Sequence, residues 1–303
     1  MRATSIDRKR RLLLAGGVAL PLAGCDGPRE MDGPDAPAFD AALTAPRRRP
    51  SLAVVFGAGG PRGFAHVGVV KVLERSGIVP ELIVGSSIGA VIGALWAAGM
   101  KAPEIEKLAL DIGVAQFVTY RWGAGMTGNG NRIEDMVGDL VHGRRIETLP
   151  TRVAIVAARR DTRAPIAFNR GDIAVAARAS SAIPGTFLPV RINGVEYIDG
   201  DEYSPVPAGL TRTLGADMVV AIDVSAHASS IPANAPAVWA ERDRLRARQS
   251  ETEKRAADIF IHPDLGYYAS VRYEYRLRSI AIAERETERV LPALRALIAA
   301  RAG

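Results

Sequence analysis

Apolar residues along this chain fall into two kinds of run. Short unbroken runs at 52–56, 82–84, 153–157, 218–223 and 259–262 have the length and β-branched content of strands buried on both faces. Longer stretches at 64–75, from Val91 onward, and at 100–112, 131–141, 172–182, 235–257 and 276–300 read as helices. Pro103 suits a first helical turn, and Asn131 with Glu134 forms the pattern of a capping box. Residues 164–168 are expected to pair with the strand at 153–157 across the turn at Asp161-Thr162-Arg163. Residues 191–198 read as a hairpin about Asn193-Gly194 that delivers Asp199 at its end. Strands alternating with helices predict an α/β sandwich with a mainly parallel sheet.

The pattern fails at the N-terminus. Residues 1–24 have a basic start, an apolar stretch from Leu12 to Leu22 and small residues, the order of an export signal. Leu22-Ala23-Gly24-Cys25 resembles the bacterial lipobox, which implies that Cys25 is lipid-modified and becomes the first mature residue. Arg10-Arg11 has some likeness to a twin-arginine signal, and Asp26 resembles an inner-membrane retention signal. The expected location is therefore the bacterial cell envelope, anchored by lipid and facing the periplasm. Residues 25–50 turn to Pro, Gly, Asp and Ala without an apolar period and read as a flexible tether with a reach of about 25–30 Å. Residues 51–303 remain as one domain. Arg47-Arg48-Arg49 at the end of the tether reads as a solvated charge cluster.

Charge and composition narrow the partners. The chain of 303 residues carries +6, but five basic residues against Asp7 place +4 of it in the first 24 residues. The remaining +2 makes no electrostatic case for nucleic acid. The single cysteine excludes an intramolecular disulfide. No metal-ligand cluster or cofactor motif is visible, so no cofactor is expected.

The chemistry concentrates at two strand ends. Ile83-Val84 leads into Gly85-Ser86-Ser87-Ile88-Gly89 and then a helix, the context that turns a serine into a nucleophile. The strand at 52–56 leads into Gly57-Ala58-Gly59-Gly60-Pro61-Arg62-Gly63 and another helix, which places backbone N–H groups at an anion site. Neither a dinucleotide fingerprint nor a P-loop is complete there, so an oxyanion site fits better than a phosphate site. A serine needs a base. Spacing leaves two arrangements open: a Ser–Asp dyad, or a triad of Ser87, Asp199 or Asp223, and His227 or His262. His66 and His142 read as packing residues. The aromatic stretch at 117–122 and the glycine-rich segment at 123–130 suit either an entry rim for an apolar substrate or a core edge with its loop.

Gly59-Gly60-Pro61-Arg62-Gly63, Ala65-His66-Val67-Gly68-Val69, Gly85-Ser86-Ser87-Ile88-Gly89-Ala90, the segment 179–185 and Tyr197-Ile198-Asp199-Gly200-Asp201 resemble the bacterial patatin-like phospholipases over about residues 51 to 300. The resemblance implies a three-layer α/β/α sandwich, Ser87 as nucleophile and Asp199 as base. It also implies an oxyanion loop at Gly59, Gly60, Arg62 and Gly63, and favours the dyad. The implied substrate is a phospholipid or other acyl lipid, met at the membrane surface to which Cys25 holds the protein. A thioesterase or acyltransferase with the same dyad, or a silent lipid-binding lipoprotein, are the alternatives. Two residues depart from the family pattern. Pro61 contributes no N–H to the loop. Asp201 adds a carboxylate that either raises the pKa of Asp199 or points to solvent.

Overall fold

The computed structural model describes residues 29–44, 51–112, 128 and 130–302. The expected export signal, Cys25, the arginine cluster at 47–49, the aromatic stretch at 117–122 and most of the glycine-rich segment lie outside these residues.

One mixed, mostly parallel sheet forms the centre. Strand β1 (Leu52–Phe56) runs between β2 (Leu82–Ser86) and β7 (Met218–Ile222), parallel to both. Strand β2 pairs in parallel with β3 (Arg152–Arg159), and β7 with β8 (Ile259–Ile261). Antiparallel strands β4 (Pro165–Phe168), β5 (Val190–Ile192) and β6 (Val195–Asp199) complete the β3 end, giving the order β5-β6-β3-β2-β1-β7-β8 with β4 on β3. The hairpin turns at Asn193 and Gly194, both with positive φ, as its Asn-Gly pair requires.

Continuous apolar strands follow from burial on both faces. Leu52, Val54 and Phe56 enter one core; Ala53 and Val55, on the other pleat, enter a second. The larger core is closed by α1 (Ala65–Arg75), α2 (Ile88–Ala97), α3 (Ala102–Asp111), α4 (Asn131–Leu140), α5 (Ile173–Ser180) and α8 (Tyr273–Ala302). The smaller core takes α6 (Ala208–Thr213), and α7 (Ala237–Lys254) follows β7. Three α/β/α layers result. None of the described helices is long and apolar enough to cross a membrane.

The register of β3 is what positions the site. Val156 pairs with Ser86 on one edge and Ala167 on the other. Ala157 pairs with Ile166 on the β4 edge, so its partner on the remaining edge is Asp199. Strand β6 thus takes over the edge of β3 at the residue where β2 leaves it.

Two expectations are corrected. Asn131 and Glu134 do not form a capping box: Gly130 is the N-cap, in the left-handed region, and Glu134 turns to the buried Arg178 at 2.8 Å. Residues 29–44 are not a loose tether. Met31 bridges to Ile192 and donates to the Arg191 carbonyl at 3.1 Å, and Ala38 donates to the Arg170 carbonyl at 3.1 Å. The Asp35 carbonyl accepts from Asp172 N–H at 2.9 Å, and Ala36 is buried. The segment lacks apolar periodicity, yet its backbone still carries donors and acceptors. Strand β5, at the end of the sheet, offers an open edge to Met31, and the backbone just after β4, at Arg170 and Asp172, takes Ala38 and Asp35.

A chain that starts at residue 51 is expected to melt about 5–10 °C below one that starts at residue 29, since a few backbone bonds at about 1 kcal/mol each are lost from a domain of this size. Coincident calorimetric melts of the two chains would show that the segment contributes nothing to the fold.

Candidate active site

Ser87 stands between β2 and α2 with φ 54° and ψ −124°, a region costly for a residue with a Cβ. The turn is held by close packing. A Cβ on Gly89 would lie 2.2 Å from the Phe56 carbonyl oxygen, so only glycine lets α2 start against the end of β1. The Ser87 N–H donates to Ser180 Oγ at 2.8 Å, and Ser180 donates in turn to the Val156 carbonyl at 2.5 Å. The Ser87 hydroxyl donates to Asp199 Oδ2 at 2.7 Å.

Asp199 is 1% exposed. Its Oδ1 accepts from the Asp201 N–H at 2.8 Å, and its own N–H donates to the Ala182 carbonyl at 3.0 Å. Burial, followed by the charge of Asp201, pushes its pKa up to about 8, against the opposing bonds from Asp201 N–H and Ser87 and the charge of Arg246. Asp201 does not simply face solvent. Its Oδ2 pairs with Arg246 Nη1 at 2.8 Å, and its Oδ1 is buried with no partner among the described residues.

The glycine loop is pinned by its carbonyls. Gly57 O accepts from His66 Nε2 at 2.7 Å, Ala58 O from Arg246 Nη2, and Gly59 O from Arg62 N–H at 3.1 Å. The N–H groups of Gly57 and Ala58 donate to the Ile222 and Pro205 carbonyls at 2.9 and 2.8 Å. Among the described residues, the N–H groups of Gly59 and Gly60 find no acceptor. Of the four expected donors, Arg62 is therefore committed, and Gly63 lies one step further into the same 3₁₀ turn (Gly60–Phe64). Pro61 falls at the start of that turn, where a missing N–H costs no intrahelical bond. The Arg62 side chain donates to the Tyr267 carbonyl and so anchors the loop. The loop touches the start of α2, since a Cβ on Gly63 would lie 2.4 Å from the Ile88 side chain. Burial lowers the pKa of His66 to about 4, so its ring is neutral at pH 7 with the proton on Nε2, where the carbonyl requires it.

The triad order is not assembled. His262 Nε2 is bonded to the Ser225 carbonyl at 3.1 Å, its ring stacks on His227, and Asp223 lies 3.8 Å from it. Burial lowers the pKa of His262. Among the described residues no histidine is hydrogen-bonded to Ser87. His142 follows the end of α4, with φ 58°. No described group of three or more His, Cys, Asp or Glu side chains is placed to share a metal ion.

Two residues of the site escaped sequence reasoning. Ser180 lies in the segment 179–185, whose composition of small residues carries no chemical signal of its own. Arg246 was one arginine among many on an Arg- and Glu-rich helix, and no local signal marks it.

A serine on a strand-to-helix elbow, hydrogen-bonded to a buried carboxylate in an α/β/α sandwich, defines a class of proteins by geometry. The family model described as patatin-like phospholipase matches residues 54–211, and the chain belongs to that family. It is 32% identical over 200 residues to an uncharacterized NTE family protein of Mycobacterium tuberculosis, covering 64% of this chain and 55% of the relative. It is 30% identical over 188 residues to patatin-like phospholipase domain-containing protein 6 of Mus musculus, covering 58% of this chain and 14% of the relative. The chain thus matches about half the length of the first relative and a small part of the second. Its fold is similar to that of VipD from Legionella pneumophila, with a TM-score of 0.55 at 14% identity, over 82% of this chain and 67% of that one.

The raised pKa of Asp199 has a stability consequence. The ordinary aspartate value is about 3.9, so between about pH 4 and pH 8 the unfolded chain loses this proton while the folded chain keeps it. Folding stability from this group therefore falls as pH rises across that window. The Tm of Asp199→Asn minus that of the wild type is expected to be larger at pH 9 than at pH 5, and equal differences at both would count against a buried, proton-retaining carboxyl.

Proposed function

We propose that this protein is a lipid acyl hydrolase that cleaves carboxylic ester bonds of phospholipids or related acyl lipids. The observation that carries the proposal is the 2.7 Å bond from the Ser87 hydroxyl to Asp199 Oδ2. Family membership, and the phospholipase in the names of the family and its murine relative, support the substrate class.

The reaction follows from the proton inventory. Ser87 Oγ bonds to the carbonyl carbon as its proton passes to Asp199 Oδ2. The negative charge that develops on the carbonyl oxygen is met by the N–H groups of Gly59 and Gly60. The tetrahedral intermediate expels the alcohol, which takes the proton from Asp199, and an acyl-Ser87 ester remains. Water then attacks that ester while Asp199 accepts its proton. Fatty acid leaves, and the proton returns to Ser87. Envelope anchoring through a lipid on Cys25 completes the proposal by keeping the site near its substrate.

The test is ester hydrolysis on short-chain and phospholipid substrates across pH. Ser87→Ala and Asp199→Asn are expected to lower kcat by at least about 10³-fold, and His262→Ala by less than about tenfold. The wild-type rate is expected to climb through about pH 8 as Asp199 ionises. An active Asp199→Asn beside a dead His262→Ala would replace the dyad with a triad. A wild type that neither turns over esters nor reacts with a fluorophosphonate would leave only a binding function.

A further inference from the structure

Arg246 reaches the site from α7, and its side chain is 14% exposed. Its guanidinium is forked between two loops. Nη1 pairs with Asp201 Oδ2 at 2.8 Å on the loop that carries the base, and Nη2 donates to the Ala58 carbonyl on the glycine loop. The second bond acts through the peptide plane. The Ala58 carbonyl and the Gly59 N–H belong to one planar trans unit, so they point in opposite directions. Fixing the carbonyl fixes the N–H. A cation on the carbonyl oxygen also draws electron density from the nitrogen and strengthens the N–H as a donor.

We infer that Arg246 is a positioning residue that aims the Gly59 N–H at the oxyanion and holds it in register with the loop that carries Asp199. This rests on the hydrolase reading above. The Asp201 end of the fork has a separate effect. Asp199 faces Ser87, Asp201 and Arg246, and the cation offsets the second carboxylate beside the base. Beyond the site, Arg246 also faces Arg62 and Asp223. Asp201 and Arg246 form a pair in which one side chain, Arg246, serves the donor half and the base half of the site together.

Phosphonylation of the full chain by a fluorophosphonate probe tests this, because the phosphonyl oxygen occupies the oxyanion position and Ser87 is the group that reacts. Wild type and Ser87→Ala are compared first; absence of Ser87-dependent labelling would overturn the hydrolase reading and this inference with it. With labelling present, Arg246→Met is expected to lower the maximal inactivation rate about 10²-fold with little change in probe affinity, and to move the acid limb of the pH profile upward. Arg246→Lys keeps a cation near Asp201 but cannot span both acceptors, so the rate falls while the limb stays. Adding Asp201→Asn to Arg246→Met is expected to return the limb downward without restoring the rate, which a merely structural arginine would not do. Labelling in Arg246→Met at the wild-type rate and pH dependence would overturn the inference alone. If that variant fails to give a cooperative melt, a wild-type rate in Arg246→Lys overturns it instead.

Discussion

The site depends on a change of neighbour along one strand edge. Strand β3 is long enough to pair with β2 as far as Val156 and with β6 from Ala157 onward, while β4 occupies its other edge. The chain of β2 must leave the sheet where β6 arrives, and that departure is the elbow at Ser87. The carboxylate at the end of β6 therefore meets the serine because both obey the ladder spacing of the same strand. Ser180 secures the junction by binding Ser87 N–H and the Val156 carbonyl together.

The same junction explains the electrostatics. A carboxyl placed where two strands meet a helix start is taken out of water, and burial is the largest cause of its raised pKa. Proton affinity and stability then pull against one another: the environment that makes Asp199 a stronger base also makes its ionised form costly to the fold. Asp201 sharpens that conflict and Arg246 softens it. A histidine would bring a pKa near neutrality of its own. Here the aspartate is brought there by its surroundings.

Much of this was legible in the sequence because it is local. Runs of Val, Ile and Leu marked the strands, Asn193-Gly194 marked the hairpin, and Gly-x-Ser-x-Gly after a strand marked the elbow. What was not legible was non-local. Whether Asp199 or Asp223 faces Ser87 depends on which strand takes over the edge of β3, and no spacing along the chain encodes that; only family resemblance favoured Asp199. Arg62 and Gly63 looked like donors because they sit in the glycine loop, but the 3₁₀ turn takes up the N–H of Arg62. Residues 29–44 looked like a tether because docking through backbone groups leaves no hydrophobic signature. Arg246 is defined by two acceptors, 45 and 188 residues away in sequence.

The docked N-terminal segment changes what a lipid anchor at Cys25 means mechanically. Arg29 is already fastened to the body, its guanidinium on Glu134 and Asp135 at the start of α4 and its carbonyl on Arg178. Four chain steps separate it from Cys25. Fully stretched, they span about 14 Å, half the reach of a free 25-residue coil. On the proposed anchoring, the body would be moored on a short line at one flank instead of drifting on a long one. Its heading toward the bilayer would then be set by where the line is made fast, beside the first turn of α4.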